Sequence, residues 1–395
     1  MKIAKISFQK ISYYLLSLVS IIQVAKATLA ERNNSEFIDI NAWSFQELLI
    51  NYQGGFVRRG FIGNLIYLID DDGILFDTLY VFVFVNFLIF IFLINLNLEL
   101  SVLSNAQKLL FHISIFAPFS ITLFGNYYAR KEMFILNLYL IVLLINRYGK
   151  KNLLIFSIFI TGALSLLIHE GITFFLLFPF LIHIFKTAEI EERVQAVFKT
   201  FMVLIFGVII VFKGNNQIVN DIIQSLSSQD LALISTSNYD QTAIDAIGWG
   251  VLDTLRTTYV LIFSGSLVYW SVFFVIFAYT ISVIFNMNIK STYLQIKKLF
   301  SKNPEFFLIL PLFIIGFDWG RWIFTIFYLY FFLLITRSNY LIEKITFNLN
   351  ILIFFLISFL TEMPACCIEM GGTAVTSNYF RIYKSFEITI MNFLN

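Results

Sequence analysis

The sequence predicts an all-α fold, a polytopic helical bundle of about eleven membrane spans, and three observations predict it. The 395 residues are 59% hydrophobic and 13% charged, with a mean hydropathy of +0.82, well above what a water-soluble domain carries. The apolar residues, 48 phenylalanines among them, gather in runs close to the length that a bilayer core demands. Between these runs, lysine-rich segments alternate with segments that mix acids, arginine and glycine, the pattern of a chain that crosses back and forth.

In chain order, the expected spans lie near 11–29, 74–97, 109–125, 132–146, 153–168, 171–185, 200–213, 258–286, 305–317, 322–336 and 348–364. Several are short, so the count runs from ten to twelve. The first follows Lys2, Lys5 and Lys10 and ends in "TLA", Thr28 to Ala30, which imitates a signal peptide; it is read as an uncleaved helix. The clusters "YGKK" and "QIKKLFSK" fall on the same side as the N-terminus, and the preference of such residues for the cytoplasm makes the N-terminus cytoplasmic. The same threading sends most of the 25 acids to the outer side.

The whole chain, 1–395, reads as one membrane domain with two larger outer segments, about 30–73 and 214–257. The second contains "NDIIQSLSSQDLALIS" and "DQTAIDAIGWGVLDTLRTTY", whose apolar spacing suits amphipathic helices on the membrane surface. The adjacent Cys366 and Cys367 suit neither an ordinary disulfide nor a metal site and read as small residues at a helix end.

Four short outer motifs carry the candidate chemistry: "GGFVRRG" (Gly54–Gly60), "GNYYARKE" (Gly125–Glu132), "LLIHEG" (Leu166–Gly171) and "GFDWGRW" (Gly316–Trp322). Each stands at the end of a span, where an ionisable group is costly unless it faces a partner, a cavity or water. Arg58, Arg59, Arg130, Lys131 and Arg321 are the candidate phosphate-binding cations, arginine being suited to bidentate contact with phosphate oxygens. The glycines around Arg58 and Arg59 suggest a backbone that bends close to a ligand. His169, Glu170, Asp318 and Asp39, the last in "EFIDINAW", are the candidate catalytic groups, since a histidine or a carboxylate at a membrane edge can act as a general base.

Plainer readings stand beside these. The arginines can snorkel to headgroups, Glu132 can pair locally with Arg130 and Lys131, and Asp318 can pair with Arg321 across one helical turn. The run Asp70 to Asp72 reads as a solvated turn, and Trp43, Trp249, Trp319 and Trp322 suit either sugar stacking or an interfacial belt. No HExxH pattern is present, so no metal is assigned. No phosphate-binding loop, dinucleotide fingerprint, kinase set or nucleophile elbow occurs either, so no cofactor is expected and nucleic acid is not a partner.

With its Phe/Ile/Leu-rich spans, two larger outer loops and the edges "FVRRG", "YYARKE", "IHEG" and "DWGRW", the chain resembles the O-antigen and capsular polysaccharide polymerases of the Wzy type. More loosely, it is similar to GT-C glycosyltransferases that use polyprenyl-linked donors. The first resemblance implies a multi-pass protein of the bacterial inner membrane that polymerises undecaprenyl-pyrophosphate-linked oligosaccharide units at the periplasmic face. Its implied partners are the lipid-linked substrate, membrane lipids, and the chain-length regulator and flippase of the same pathway. A GT-C enzyme would carry its catalytic acid in the first outer loop, where Asp39 lies. A flippase for the same substrate is the alternative from another class.

Overall fold

The computed structural model describes residues 8–33, 38–69, 75–120, 127–212, 214–226, 243–249, 251–261, 267–316, 318–336 and 349–360. Asp70 to Asp72, Cys366 and Cys367 lie outside them. Among the described residues there is no strand. The helices, in order, are α1 (Phe8–Asn33), α2 (Ile38–Leu49), α3 (Phe61–Ile69), α4 (Leu75–Glu99), α5 (Asn105–Ile113), α6 (Lys131–Arg147), α7 (Lys151–Ile168) and α8 (Glu170–Thr187). They continue as α9 (Glu192–Val211), α10 (Asn216–Gln224), α11 (Val251–Leu261), α12 (Leu267–Ile284), α13 (Ile289–Lys302), α14 (Pro304–Ile315), α15 (Trp319–Thr336) and α16 (Leu349–Leu360).

Six of these helices are long and apolar enough to cross a membrane, and seven if the bent pair formed by α12 and α13 is one span. Two expected spans are not continuous. The run 109–125 is broken after α5, because the chain leaves the helix at Ser114, whose N–H caps the α5 carbonyls and whose carbonyl binds Ser120; residues 118–120 are helical again and 121–126 lie outside the described residues. The run 258–286 is shared between α11 and α12, with 262–266 between them outside the described residues. The segment 30–73 contains α2 and α3, and the segment 214–257 contains α10 and the start of α11.

The bundle is built around α15 and α6. α15 is 89% buried, whereas the apolar part of α9 is 17% buried and presents Val203, Leu204, Val208 and Val211 outward. A helix apolar on all sides belongs at the centre, and one apolar only toward the outside meets lipid. Phe327 stacks on Phe116 with centroids 4.2 Å apart, and Phe331 stacks on Phe111 at 4.6 Å.

Buried polar groups fasten the core where apolar attraction between lipid-immersed helices is weak. Tyr139 of α6 donates to the Leu329 carbonyl at 2.8 Å, and Asn137 donates to the side-chain oxygen of Asn86 on α4 at 2.8 Å. The two ends of the bundle differ in chemistry. At one end Glu99 gathers Lys10, Tyr13, Tyr14 and Lys108, Arg147 donates to Leu100 and Ile335 carbonyls, and Glu305 holds Lys186 and Lys199 at 3.0 Å each. The other end carries the arginine-rich motifs.

A candidate anion site at one end of the bundle

The four outer motifs, 54–60, 125–132, 166–171 and 316–322, converge on one charged cluster. The turn after α2, residues 50–60, is pinned by Gly63, where a Cβ would stand 2.1 Å from the Ile50 carbonyl oxygen. The turn ends with Arg59 in the left-handed region at φ 65°, a conformation that costs a non-glycine residue and persists only where its surroundings enforce it. Lys131 supplies that enforcement: its ammonium donates to the Arg59 carbonyl at 2.7 Å.

Arg59 Nε then reaches both carboxylate oxygens of Glu170 at 3.2 Å, and Arg58 Nη1 lies 3.5 Å from the same acid. Arg58 Nη2 also donates to the carbonyls of Ala246, Ile247 and Trp249. One arginine thus ties the turn after α2 to residues 246–249.

Arg321, in the first turn of α15 and 1% exposed, is the hub of the cluster. Its Nε contacts Glu132 at 2.5 Å, its Nη1 contacts Asp318 at 2.9 Å, and both terminal nitrogens lie 3.4 Å from Glu47 of α2. Burial would push the Glu47 carboxyl up, but Arg321, Arg130, Lys131 and Arg59 outweigh it and hold it at about 2. Of the acids, Asp318 is the one that solvent reaches, at 28% side-chain exposure against 5% or less for Glu47, Glu132 and Glu170.

Arg130 and Lys131 stand apart within the cluster. Both are buried at the N-terminus of α6, yet Lys131 has no carboxylate within ion-pair distance among the described residues, and the ion pair of Arg130 is with Glu47 at 4.0 Å. The Arg130 Nε is buried without a hydrogen-bond partner, and its side chain does not cap the helix. Two cations at the positive end of a helix dipole repel it and each other. The cluster sets Arg58, Arg59, Arg130, Lys131 and Arg321 against Glu47, Glu132, Glu170 and Asp318. Burial pushes the Lys131 ammonium down to about 7, so the cluster's excess positive charge is at most one and is centred on Arg130 and Lys131.

Several expected residues carry tasks the sequence did not disclose. His169, in extended geometry between α7 and α8, caps the short helical turn that follows by accepting from the Ile172 N–H. Burial, then Arg59, Arg321 and Lys131, push its imidazole well below the usual histidine range, so it is neutral near pH 7. Gly54 and Gly60 approach protein: a Cβ on Gly54 would meet the Ile218 carbonyl at 2.9 Å, and one on Gly60 the Tyr52 ring at 2.4 Å, whereas Gly55, at φ 105°, has nothing within 4 Å of that position. Trp319 and Trp322 are buried in packing, with Trp322 edge-on to Phe313, while Trp43 and Trp249 face each other at 6.2 Å and remain partly open. Asp39 lies on α2, two turns before Glu47.

Glu47 itself escapes a reading by motif. Its signal is an acid inside an otherwise apolar stretch, where Phe45, Leu48 and Leu49 on either side are buried. Glu132 was an expected partner for its own neighbours and serves Arg321 instead.

An all-helical chain with several membrane-crossing helices and a buried charged cluster at one end is a polytopic α-helical membrane protein. The family model described as "Uncharacterised membrane protein Rv1490" matches residues 14–231, more than half of the chain, and the chain belongs to that family. The match takes in every residue of the cluster except Asp318 and Arg321. No curated protein and no solved structure matches.

Proposed function

We propose that the protein is a glycosyltransferase that takes its sugar from a lipid-linked phosphate or pyrophosphate, working where the charged cluster meets the membrane surface. The observation that carries this reading is the pair of buried cations, Arg130 and Lys131, set at a helix N-terminus without a close carboxylate. Helix N-termini and arginines are the usual cradle for phosphate oxygens. Arg130 and Lys131 hold the donor phosphate, while Glu47, 4.0 Å from Arg130, and the Arg59 carbonyl, which accepts from the Lys131 ammonium at 2.7 Å, hold the two cations in place.

Asp318 is the favoured base, because it is the acid in the cluster with an open side. It takes the proton of the acceptor hydroxyl as that oxygen bonds to the anomeric carbon. The bond from the anomeric carbon to the phosphate oxygen breaks, its electron pair stays on the phosphate, and the cations stabilise the added charge. Trp43 and Trp249 offer aromatic faces beside Arg58 for a sugar ring.

In its finer form the reading is polymerisation of undecaprenyl-pyrophosphate-linked units at the periplasmic face of a bacterial inner membrane. It includes an N-terminus in the cytoplasm and about eleven spans. The second form, resting on Asp39 of α2 as the acid after the first span, is a GT-C-type transferase using a polyprenyl-phosphate sugar. Glycans of a deletion strain separate them: single repeat units left on lipid mark a polymerase, a missing branch sugar marks a GT-C transferase, and complete units held in the cytoplasm would refute both in favour of a flippase.

A further inference from the structure

At the end of the bundle opposite the cluster, α13 leaves α12 at an angle of 107°. α12 is apolar throughout and presents Val272, Phe274 and Val275 outward, as a helix in lipid does. A helix at this angle to a lipid-crossing α12 is directed along the plane of the membrane. Its fourteen residues, "IKSTYLQIKKLFSK", include no acid. Lys290, Lys297, Lys298 and Lys302 are all exposed, and none pairs with a carboxylate among the described residues. Thr292 and Leu299 face the bundle, while Ile289, Tyr293 and Leu294 are at least half exposed beside the lysines.

The angle is fixed rather than loose. Asn286 turns the chain at φ 51°, the Met287 N–H donates to the Ser282 carbonyl at 2.8 Å, Asn288 caps α13 through the Ser291 N–H, and the Ser282 and Thr292 hydroxyls meet at 2.8 Å. In the elbow lies a cavity of about 220 Å³ lined by Tyr279, Ser282, Asn286, Asn288 and Asn350.

We infer that α13 is a docking surface for anionic phospholipid, its apolar edge seated among acyl chains and its four lysines on the headgroup phosphates. A surface helix with several lysines, no acid and exposed apolar side chains between them is a form that binds anionic leaflets, and each lysine adds to the attraction. The lysines therefore do more than set orientation, since a topology signal needs neither a fixed right angle nor an apolar edge. This inference is independent of the reaction proposed for the other end.

The test is the full chain in nanodiscs of phosphatidylcholine with or without phosphatidylglycerol, read by thermal unfolding and by mass spectrometry of retained lipid. The wild type should unfold at higher temperature with phosphatidylglycerol and retain it preferentially. In K290Q/K297Q/K298Q/K302Q that preference should fall at least about tenfold, with unfolding in phosphatidylcholine unchanged, and the corresponding arginine variant should keep it. If the quadruple glutamine variant does not fold, K297Q/K298Q and added salt on the wild type should each weaken the preference. An undiminished preference in the glutamine variants, an indifferent wild type, or retention in the wild type that salt leaves unchanged overturns the assignment.

Discussion

Arg321 holds three acids, Glu47, Glu132 and Asp318, and that decides which substitutions are informative. Arg321→Ala leaves two buried carboxylates without their main partner, a change that costs about 3–5 kcal/mol; loss of folded protein on gel filtration is the expected outcome, whatever the reaction. Arg130 is different, since its one ion pair spans 4.0 Å. Arg130→Gln should leave the unfolding temperature within a few degrees of wild type yet lower transfer from a lipid-linked donor by about 10²–10³-fold. Asp318→Asn should lower it by about 10²–10⁴-fold. Full activity in either variant would remove that residue from the proposed chemistry. Glu47 gives a pH prediction: its carboxyl is held at about 2, below its ordinary range, so its stabilising contribution is complete above that range and is lost as pH falls toward 2. Unfolding temperature in detergent should be flat on this account from about pH 6 to 8 and decline below about pH 4.

Among the elements, the turn between α2 and α3 is the one that positions two arginines, and its geometry rests on close backbone approach. Gly63→Ala would place a methyl 2.1 Å from the Ile50 carbonyl oxygen and 2.6 Å from that of Leu48. Backbone on both sides leaves little room to adjust, so a loss of about 1–3 kcal/mol or more is expected, measured as a lower unfolding temperature with the cluster residues intact. The motifs were legible because charge at a span boundary is conspicuous, and all four meet. What the residues could not disclose was pairing across the bundle: Arg58 binding the 246–249 carbonyls, or Glu132 turning to Arg321. Such partners lie far apart in the chain, and a periodicity argument reaches no further than the next turn. Gly54 and Gly60 were legible as close-approach positions, but the neighbour proved to be the protein's own backbone and rings, while Gly55 supplies a left-handed turn instead.

For the whole molecule, the helical class follows from hydropathy, because lipid leaves a backbone few ways to satisfy its own hydrogen bonds. Span number was harder to read, since an apolar run does not reveal a break such as that after α5, nor that the run 258–286 is shared between α11 and α12. The proposed threading makes a direct prediction. In a variant without Cys366 and Cys367, a cysteine at the exposed position of Asn216 should react with a membrane-impermeant thiol reagent in spheroplasts. One at Ser301 should react only after permeabilisation. The reverse pattern would turn the protein over and place the arginine cluster in the cytoplasm.

The chain order of the cluster carries a consequence for biosynthesis. Glu47, Arg58, Arg59, Arg130, Lys131, Glu132 and Glu170 all leave the ribosome well before Arg321, which arrives with α15. Until then Glu47 and Glu132 lack the hub that neutralises them, so the early helices enter the membrane carrying charges with no settled home. The helix buried most deeply in the finished bundle is thus also a late-arriving clasp, and a ribosome stalled before α15 would leave an inserted protein whose charged end stays open.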